Sequence, residues 1–115
     1  MELKQVVTLC HDALEAMKAE NIITIDVMGR SAMNDVMIFA TGTSSRHVKS
    51  LAVSLNAAAK ELGVEPYGIE GADEGQWALV DLGDVVVHIM LPDVRAFYQL
   101  ERLWENDDAI DAKIA

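Results

Sequence analysis

Residues Gln76 to Leu91 read Q-W-A-L-V-D-L-G-D-V-V-V-H-I-M-L, and no other stretch leaves the chain so few options. Two β-rich runs flank Gly83-Asp84, a two-residue turn signal in which glycine supplies a positive φ at the first loop position. A turn there sets Leu82 opposite Val85, Asp81 opposite Val86, Leu79 opposite His88 and Trp77 opposite Met90. Side chains alternate across a sheet. One face then carries Ala78, Val80, Leu82, Val85, Val87, Ile89 and Leu91, all apolar, and must be core. The other carries Trp77, Leu79, Asp81, Val86, His88 and Met90. A sealed interior does not favour Asp81 and His88, and a plain solvent face does not favour Trp77, Leu79 and Met90. Apolar anchors beside polar, orienting groups are what a recognition surface presents. Two other arrangements fit the same pattern: cover by a third layer or terminal helix of the same chain, and self-association.

The rest of the chain supplies a sheet for this hairpin and helices to cover it. Glu2 to Ala19 reads as an amphipathic helix, with Leu3, Val6, Val7, Cys10, Leu14 and Met17 at helical spacing. His11 and Asp12 fall off that stripe and are expected in solvent. Ile22 to Val27 reads as a strand with Ile23, Ile25 and Val27 on one side and Thr24 and Asp26 on the other. Gly29 to Asn34 is a loop. Val36 to Thr41 is apolar at both parities, which suits a strand near the middle of the sheet. Gly42 breaks it, and Ser44 or Ser45 can cap the helix that follows, from Arg46 to Leu62. Gly63 ends that helix at C′. Pro66 to Glu70 is a short strand, parallel to the preceding one if the helix is a crossover. After the hairpin, Pro92-Asp93 opens a third helix with Asp93 as N-cap and a stripe of Phe97, Leu100 and Trp104, extended by Leu103. Tyr98 and Glu101 lie one position round from it, able to reach the side of the sheet that holds Trp77 and His88.

The fold class is therefore mixed α/β: one mixed sheet of about five strands with helices packed on it, in the order α-β-β-α-β-β-β-α. At 115 residues the chain is a single domain over 1–104, followed by an acidic C-terminal tail over 105–115. No apolar run approaches the roughly 18 residues of a membrane span, and the opening M-E-L-K-Q lacks the layout of a signal peptide. One cysteine, Cys10, excludes an internal disulfide and a cysteine-based zinc site. A cytoplasmic protein is expected.

The net charge is −10, and it is unevenly placed. Residues 1–60 hold six basic and six acidic residues, and residues 61–115 hold three and thirteen. The whole excess lies in the half that contains the hairpin. Such a surface repels phosphate backbones, so no direct nucleic-acid contact is expected. It attracts a basic protein and speeds that encounter.

The residues give little support to catalysis. His11, His47 and His88 lie on different elements, and none has a partner at metal-binding helical spacing, so no metal or other cofactor is expected. Gly42-Thr43-Ser44 with Asp81 and Asp84 has the residue types of nucleotidyl transfer. That chemistry needs two carboxylates flanking one residue on a strand to hold Mg²⁺. The segment A-V-S-L-N-A-A-A after Gly42 has no acid, and Asp81 and Asp84 straddle a turn. A nucleotide-binding or nucleotidyltransferase-like enzyme remains the alternative to a non-enzymatic binding protein.

Four motifs together carry a resemblance. Asp26 to Ser31 (D-V-M-G-R-S), Ala40 to Val48 (A-T-G-T-S-S-R-H-V), Trp77 to Met90, and Arg95 to Trp104 (R-A-F-Y-Q-L-E-R-L-W) resemble the ribosomal silencing factor RsfS, or Iojap-related, family. The likeness runs to Trp104. It implies a nucleotidyltransferase-like fold without the catalytic carboxylates, and a translation repressor in place of an enzyme. It implies binding to the large ribosomal subunit through ribosomal protein L-fourteen, a basic protein, and a steric block of subunit joining when nutrients run short. It also implies a homodimer in the free state and, in mitochondrial relatives, large-subunit assembly. With that partner, the expected contact residues are Trp77, Leu79 and Met90 as buried anchors and Asp81 and Glu101 as charge partners. His88 and Tyr98 are expected to donate orienting hydrogen bonds.

Overall fold

A computed structural model describes residues 2–26 and 36–98, with the backbone alone at Phe97 and Tyr98. The elements are α1 (Leu3–Ala16), β1 (Glu20–Asp26), β2 (Val36–Thr41), α2 (Ser45–Glu61), β3 (Gly68–Glu70), β4 (Trp77–Asp81), β5 (Val85–Met90) and α3 (Pro92–Tyr98). Their order is the one read from the sequence. The strands form a single mixed sheet in the order β1-β2-β5-β4-β3.

The hairpin forms in the expected register: Asp81 pairs with Val86, Leu79 with His88 and Trp77 with Met90. Gly83 takes φ 89° at the first turn position. β5 then pairs in parallel with β2, Val36 with Val85 through Thr41 with Met90. This puts β5 at the centre of the sheet, and all six of its residues are buried. β3 runs in the direction expected of it but does not sit beside β2. It pairs antiparallel with β4, at the far edge. α2 therefore carries the chain past two strand positions, which the hairpin then fills. The strand begins at Gly68 and not Pro66, since proline has no N–H to give the ladder; Tyr67 N donates to Asp81 O across 2.8 Å before the strand begins.

α1 and α2 cover one face. Leu9, Cys10 and Leu14 of α1 and Val48, Leu51, Ala52, Leu55 and Ala59 of α2 meet Ile38, Ala40, Ala78, Val80, Val85, Val87 and Ile89 of the sheet. α1 stops at Ala16, three residues short of the expected end. Lys18 takes φ 62°, and the N–H groups of Lys18 and Ala19 bond to Glu15 O and Leu14 O, a Schellman closure without glycine. α2 closes in the same manner at Gly63, which occupies the expected C′ position: Gly63 N bonds to Lys60 O and Val64 N to Ala59 O. At its other end Ser44 is the N-cap, its hydroxyl oxygen accepting from His47 N at 3.1 Å.

Two expectations are corrected here. His11 is not free in solvent: it is half-buried and its Nε2 bonds to the Thr24 hydroxyl, joining α1 to β1. Asp93 is not the N-cap of α3. Pro92 is the first helical residue, where its missing N–H costs nothing. Leu91 stands at the cap, its carbonyl accepting from Arg95 N at 3.0 Å. Asp93 sits in the first turn, where a negative charge suits the helix dipole. Val27, the loop Gly29–Asn34, the stripe residues Leu100, Leu103 and Trp104, Glu101, and the tail 105–115 lie outside the described residues.

Candidate partner-binding face

The second face of the sheet is set by the same parity that fills the core. Cross-strand pairing lines up Ile23, Phe39, His88, Leu79 and Glu70 in one row, from β1 to β3. A second row runs Ile25, Met37, Val86, Asp81, Gly68, and a third runs Thr41, Met90, Trp77. The first two rows pass from apolar residues on the β1 side to a carboxylate toward β3; the third runs from the polar Thr41 through Met90 to the indole.

α3 crosses one end of this face. Val94 packs with Ile25, Phe39 and Met90, and Ile23, Met37 and Trp77 complete the cluster. Arg95 fixes the helix: its guanidinium Nη1 donates to Thr41 Oγ1 at 2.8 Å and to Asn21 O at 2.6 Å. That carbonyl is available because β1 is irregular between Glu20 and Ile23, with Asn21 at φ 48°. Asparagine tolerates this backbone better than most residues.

The face therefore has a sealed part and an open part. Phe39 and Met90 are fully buried and His88 is 8% exposed. Trp77, Leu79, Asp81 and Val94 are half-buried. This corrects the expectation that His88 and Met90 present themselves outward. Met90 is floor, because β5 is central and Val94 closes over it. The His88 ring stacks on Phe39, with centroids 4.9 Å apart and planes 10° from parallel. Its Nδ1 accepts a hydrogen bond from Trp77 Nε1 at 3.1 Å. An imidazole that accepts at Nδ1 carries its proton, when neutral, on Nε2. His88 thus orients the indole from inside the protein. Asp81 also bonds within the chain. Its Oδ1 accepts from Gly83 N at 2.9 Å and braces the hairpin turn. Tyr98 is the last residue of α3, and Glu101 lies beyond the described residues.

Between α3 and the β3–β4 edge lies a groove of about 390 Å³ lined by Glu70, Gly71, Glu74, Gln76, Trp77, Leu79 and Val94. Of these, only Trp77 and Leu79 were singled out from the sequence. The signal for Glu70 was its place opposite Leu79, which requires knowing that β3 pairs with β4. A larger hollow between α1 and α2, about 660 Å³ and lined by Leu9, Ala13, Ala58 and Leu62 among others, faces away from this site.

The residues of the enzymatic alternative are kept apart. Gly42 N bonds to Met90 O at one end of the β2–β5 pair, and Val36 N bonds to Asp84 O at the other, both at 3.0 Å. Six residues of strand span about 20 Å, too far for Gly42, Ser44 and Asp84 to share one phosphate. Packing accounts for the glycine: a Cβ on Gly42 would lie 2.6 Å from Val48 Cγ2 and 3.0 Å from Val48 N. His47 is engaged too. Its Nδ1 accepts from Thr43 N at 2.9 Å and its Nε2 donates to Met17 O at 2.7 Å, tying the loop to the end of α1. Cys10 is buried, and burial pushes its thiol up to about 12, which leaves it inert at neutral pH.

With this geometry in view, the likeness to known proteins is specific. The family described as "Ribosomal silencing factor during starvation" matches residues 1–115. The chain belongs to the ribosomal silencing factor (RsfS) family. Ribosomal silencing factor RsfS of Chromobacterium violaceum is 47% identical over 104 residues, covering 90% of this chain and 85% of that one. A crystal structure of a protein from the same organism superposes with a TM-score of 0.90 at 46% identity, covering 93% of this chain and 89% of the other. The mouse protein named Mitochondrial assembly of ribosomal large subunit protein 1 is 38% identical over 89 residues, 75% of this chain and 39% of its own length. The five-stranded mixed sheet is thus the fold of the RsfS family, and Trp77 lies on the half-open side of that sheet.

Proposed function

We propose that this RsfS-family chain represses translation without catalysis, by occupying the large ribosomal subunit and blocking its union with the small one. The partner on the subunit is ribosomal protein L-fourteen, and the occasion is nutrient limitation. The observation that carries the reading is the half-open Trp77–Leu79 face on the acidic half of the molecule. Its indole is held from behind by a buried imidazole. A preorganised aromatic anchor loses little freedom on binding, and an anionic surround suits a basic ribosomal protein.

In this reading Trp77 and Leu79 make the buried contact. His88 and Met90 act one layer below, holding the indole and the floor. Asp81 and Glu101 pair with basic side chains of the partner, and Tyr98 donates it a hydrogen bond. The same apolar face would serve a homodimer of the free protein, so that self-association and ribosome binding compete. The test is co-sedimentation with separated large subunits. Wild-type protein should migrate with the subunit peak and Trp77→Ala should not; absence of both from the peak overturns the proposal. Assembly of the large subunit is the second reading, favoured by the name of the mouse relative. Accumulation of incomplete large subunits in cells lacking the protein, with subunit joining unaffected, would favour it.

A further inference from the structure

We infer that the groove between α3 and the β3–β4 edge is a socket for one cationic side chain, an arginine or lysine, projecting from the protein partner. The inference rests on the reading that the Trp77 face binds a basic protein.

Three features of the groove define the occupant. Its inner walls are apolar, from Trp77, Leu79 and Val94. Its outer lip is acidic, from Glu70 and Glu74, both exposed. Glu70 pairs with Leu79 across the β3–β4 ladder, so apolar surface and carboxylate stand side by side on one face. A ligand matching both needs an aliphatic stem and a positive tip. Arginine and lysine are the side chains built that way. Groove size agrees, since a long side chain fills a fraction of about 390 Å³ and leaves room for the partner's backbone at the mouth.

The two carboxylates are available. Asp73, between them in sequence, is paired with Lys49 Nζ at 3.3 Å. Among the described residues, neither Glu70 nor Glu74 has an ion-pair partner. The backbone holds Glu70 close to the start of β4: the adjoining Gly71 takes φ +77°, and a Cβ there would lie 2.2 Å from Trp77 O. Glu74 lines the same groove. The indole, in turn, spends its Nε1–H on His88. It addresses the groove with ring surface and not with a donor, which is the surface a guanidinium or ammonium stacks on. Arginine fits better than lysine, because a planar fork can stack on the indole and still reach two carboxylates.

The experiment has two arms. In the first, Trp104→Phe leaves Trp77 as the single indole of the full chain. Its Nε1–H resonance is followed by NMR while N-acetyl-arginine amide, N-acetyl-lysine amide or N-acetyl-citrulline amide is added. Arginine should shift the resonance saturably, lysine less, and the uncharged citrulline isostere least. Glu70→Gln/Glu74→Gln should remove the difference between arginine and citrulline. An equal response to all three compounds, or an unchanged arginine response in the double variant, overturns the socket. In the second arm, affinity for isolated large subunits is measured against salt. Glu70→Gln/Glu74→Gln should weaken binding roughly tenfold at low salt and flatten its salt dependence, while Asp12→Asn, on α1 across the molecule, should do neither. Wild-type binding that the double variant matches overturns the socket and leaves the proposed function standing. No wild-type binding at all overturns the proposed function, and the indole arm then decides the socket alone.

Discussion

The two faces of the sheet are built from the same strands and differ in what closes them. On one side two long helices seal an apolar layer: Leu51, Leu55 and Ala59 of α2 meet Val80, Val87 and Ile89, with the Cys10 thiol of α1 in the same cluster. On the other, among the described residues, α3 covers one end; the half-open part keeps an indole and carboxylates, with a buried imidazole beneath the indole. A sealed layer needs only shape and volume. A half-open layer must also hold its exposed groups in fixed positions, and it does so with directed bonds: His88 to Trp77, Arg95 to Thr41 and Asn21, Asp81 to Gly83.

That contrast can be broken by paired substitutions. The largest effects should come from emptying each layer. Leu55→Ala in the sealed layer should cost about 2–5 kcal/mol in urea denaturation, and Phe39→Ala in the half-open layer about 3–5 kcal/mol. If Phe39→Ala costs far less than Leu55→Ala, the second layer is a surface and not a core. Next, Trp77→Ala should lose about 2 kcal/mol or more of affinity for large subunits. Leu55→Ala, measured per folded molecule, should lose almost none. His88→Leu leaves the indole N–H without its acceptor and should cost about 1–3 kcal/mol of stability. An altered near-ultraviolet circular dichroism signal from the displaced indole should accompany the loss, and His88→Gln should restore part of both. Ser44→Ala, which touches neither layer, should cost about 1 kcal/mol through the lost helix cap.

The smallest effect at neutral pH belongs to Cys10. Its thiol loses its proton near 9.0 when unfolded and near 12 when folded. The folded state therefore holds more protons in that window, and stability contributed by the neutral buried thiol is intact below about pH 9 and falls as pH rises through it. Cys10→Ala should show a shallower alkaline decline in thermal denaturation. At pH 8 the native thiol should resist a thiol reagent that labels it fully in urea.

How much of this was legible in the sequence follows from how local each feature is. The Gly83-Asp84 turn fixed the register of β4 on β5, because strict alternation leaves no second solution that buries Val80, Val87 and Ile89 together. The bounds of α2 were readable to within a residue, from Ser44 or Ser45 at its start and Gly63 after its end. The sheet order was not, because nothing in the 68–70 segment says that it pairs with β4 and not with β2. Parity put His88 on the correct face. It could not say that Phe39, on a strand almost fifty residues earlier, would stack beneath it, nor that the indole across the hairpin would turn inward to meet it. The Schellman closure at Lys18 and the irregular backbone at Asn21 carry no glycine to mark them. Glu70 read as the end of a short strand, and nothing in the sequence placed it or Glu74 beside Trp77 until the fold did so.

The parallel pairing of β2 with β5 has a consequence for how the molecule is made. Val36 finds Val85, and Thr41 finds Met90, so the innermost strand is the last to be synthesised of the described strands. During elongation the β1–β2 ribbon and both long helices exist before the strand that unites them. The open side of β2 offers unsatisfied backbone groups throughout that interval. Closing so long a loop is an entropic cost borne late. The sheet is thus completed only once β5, the last of its described strands, has been made.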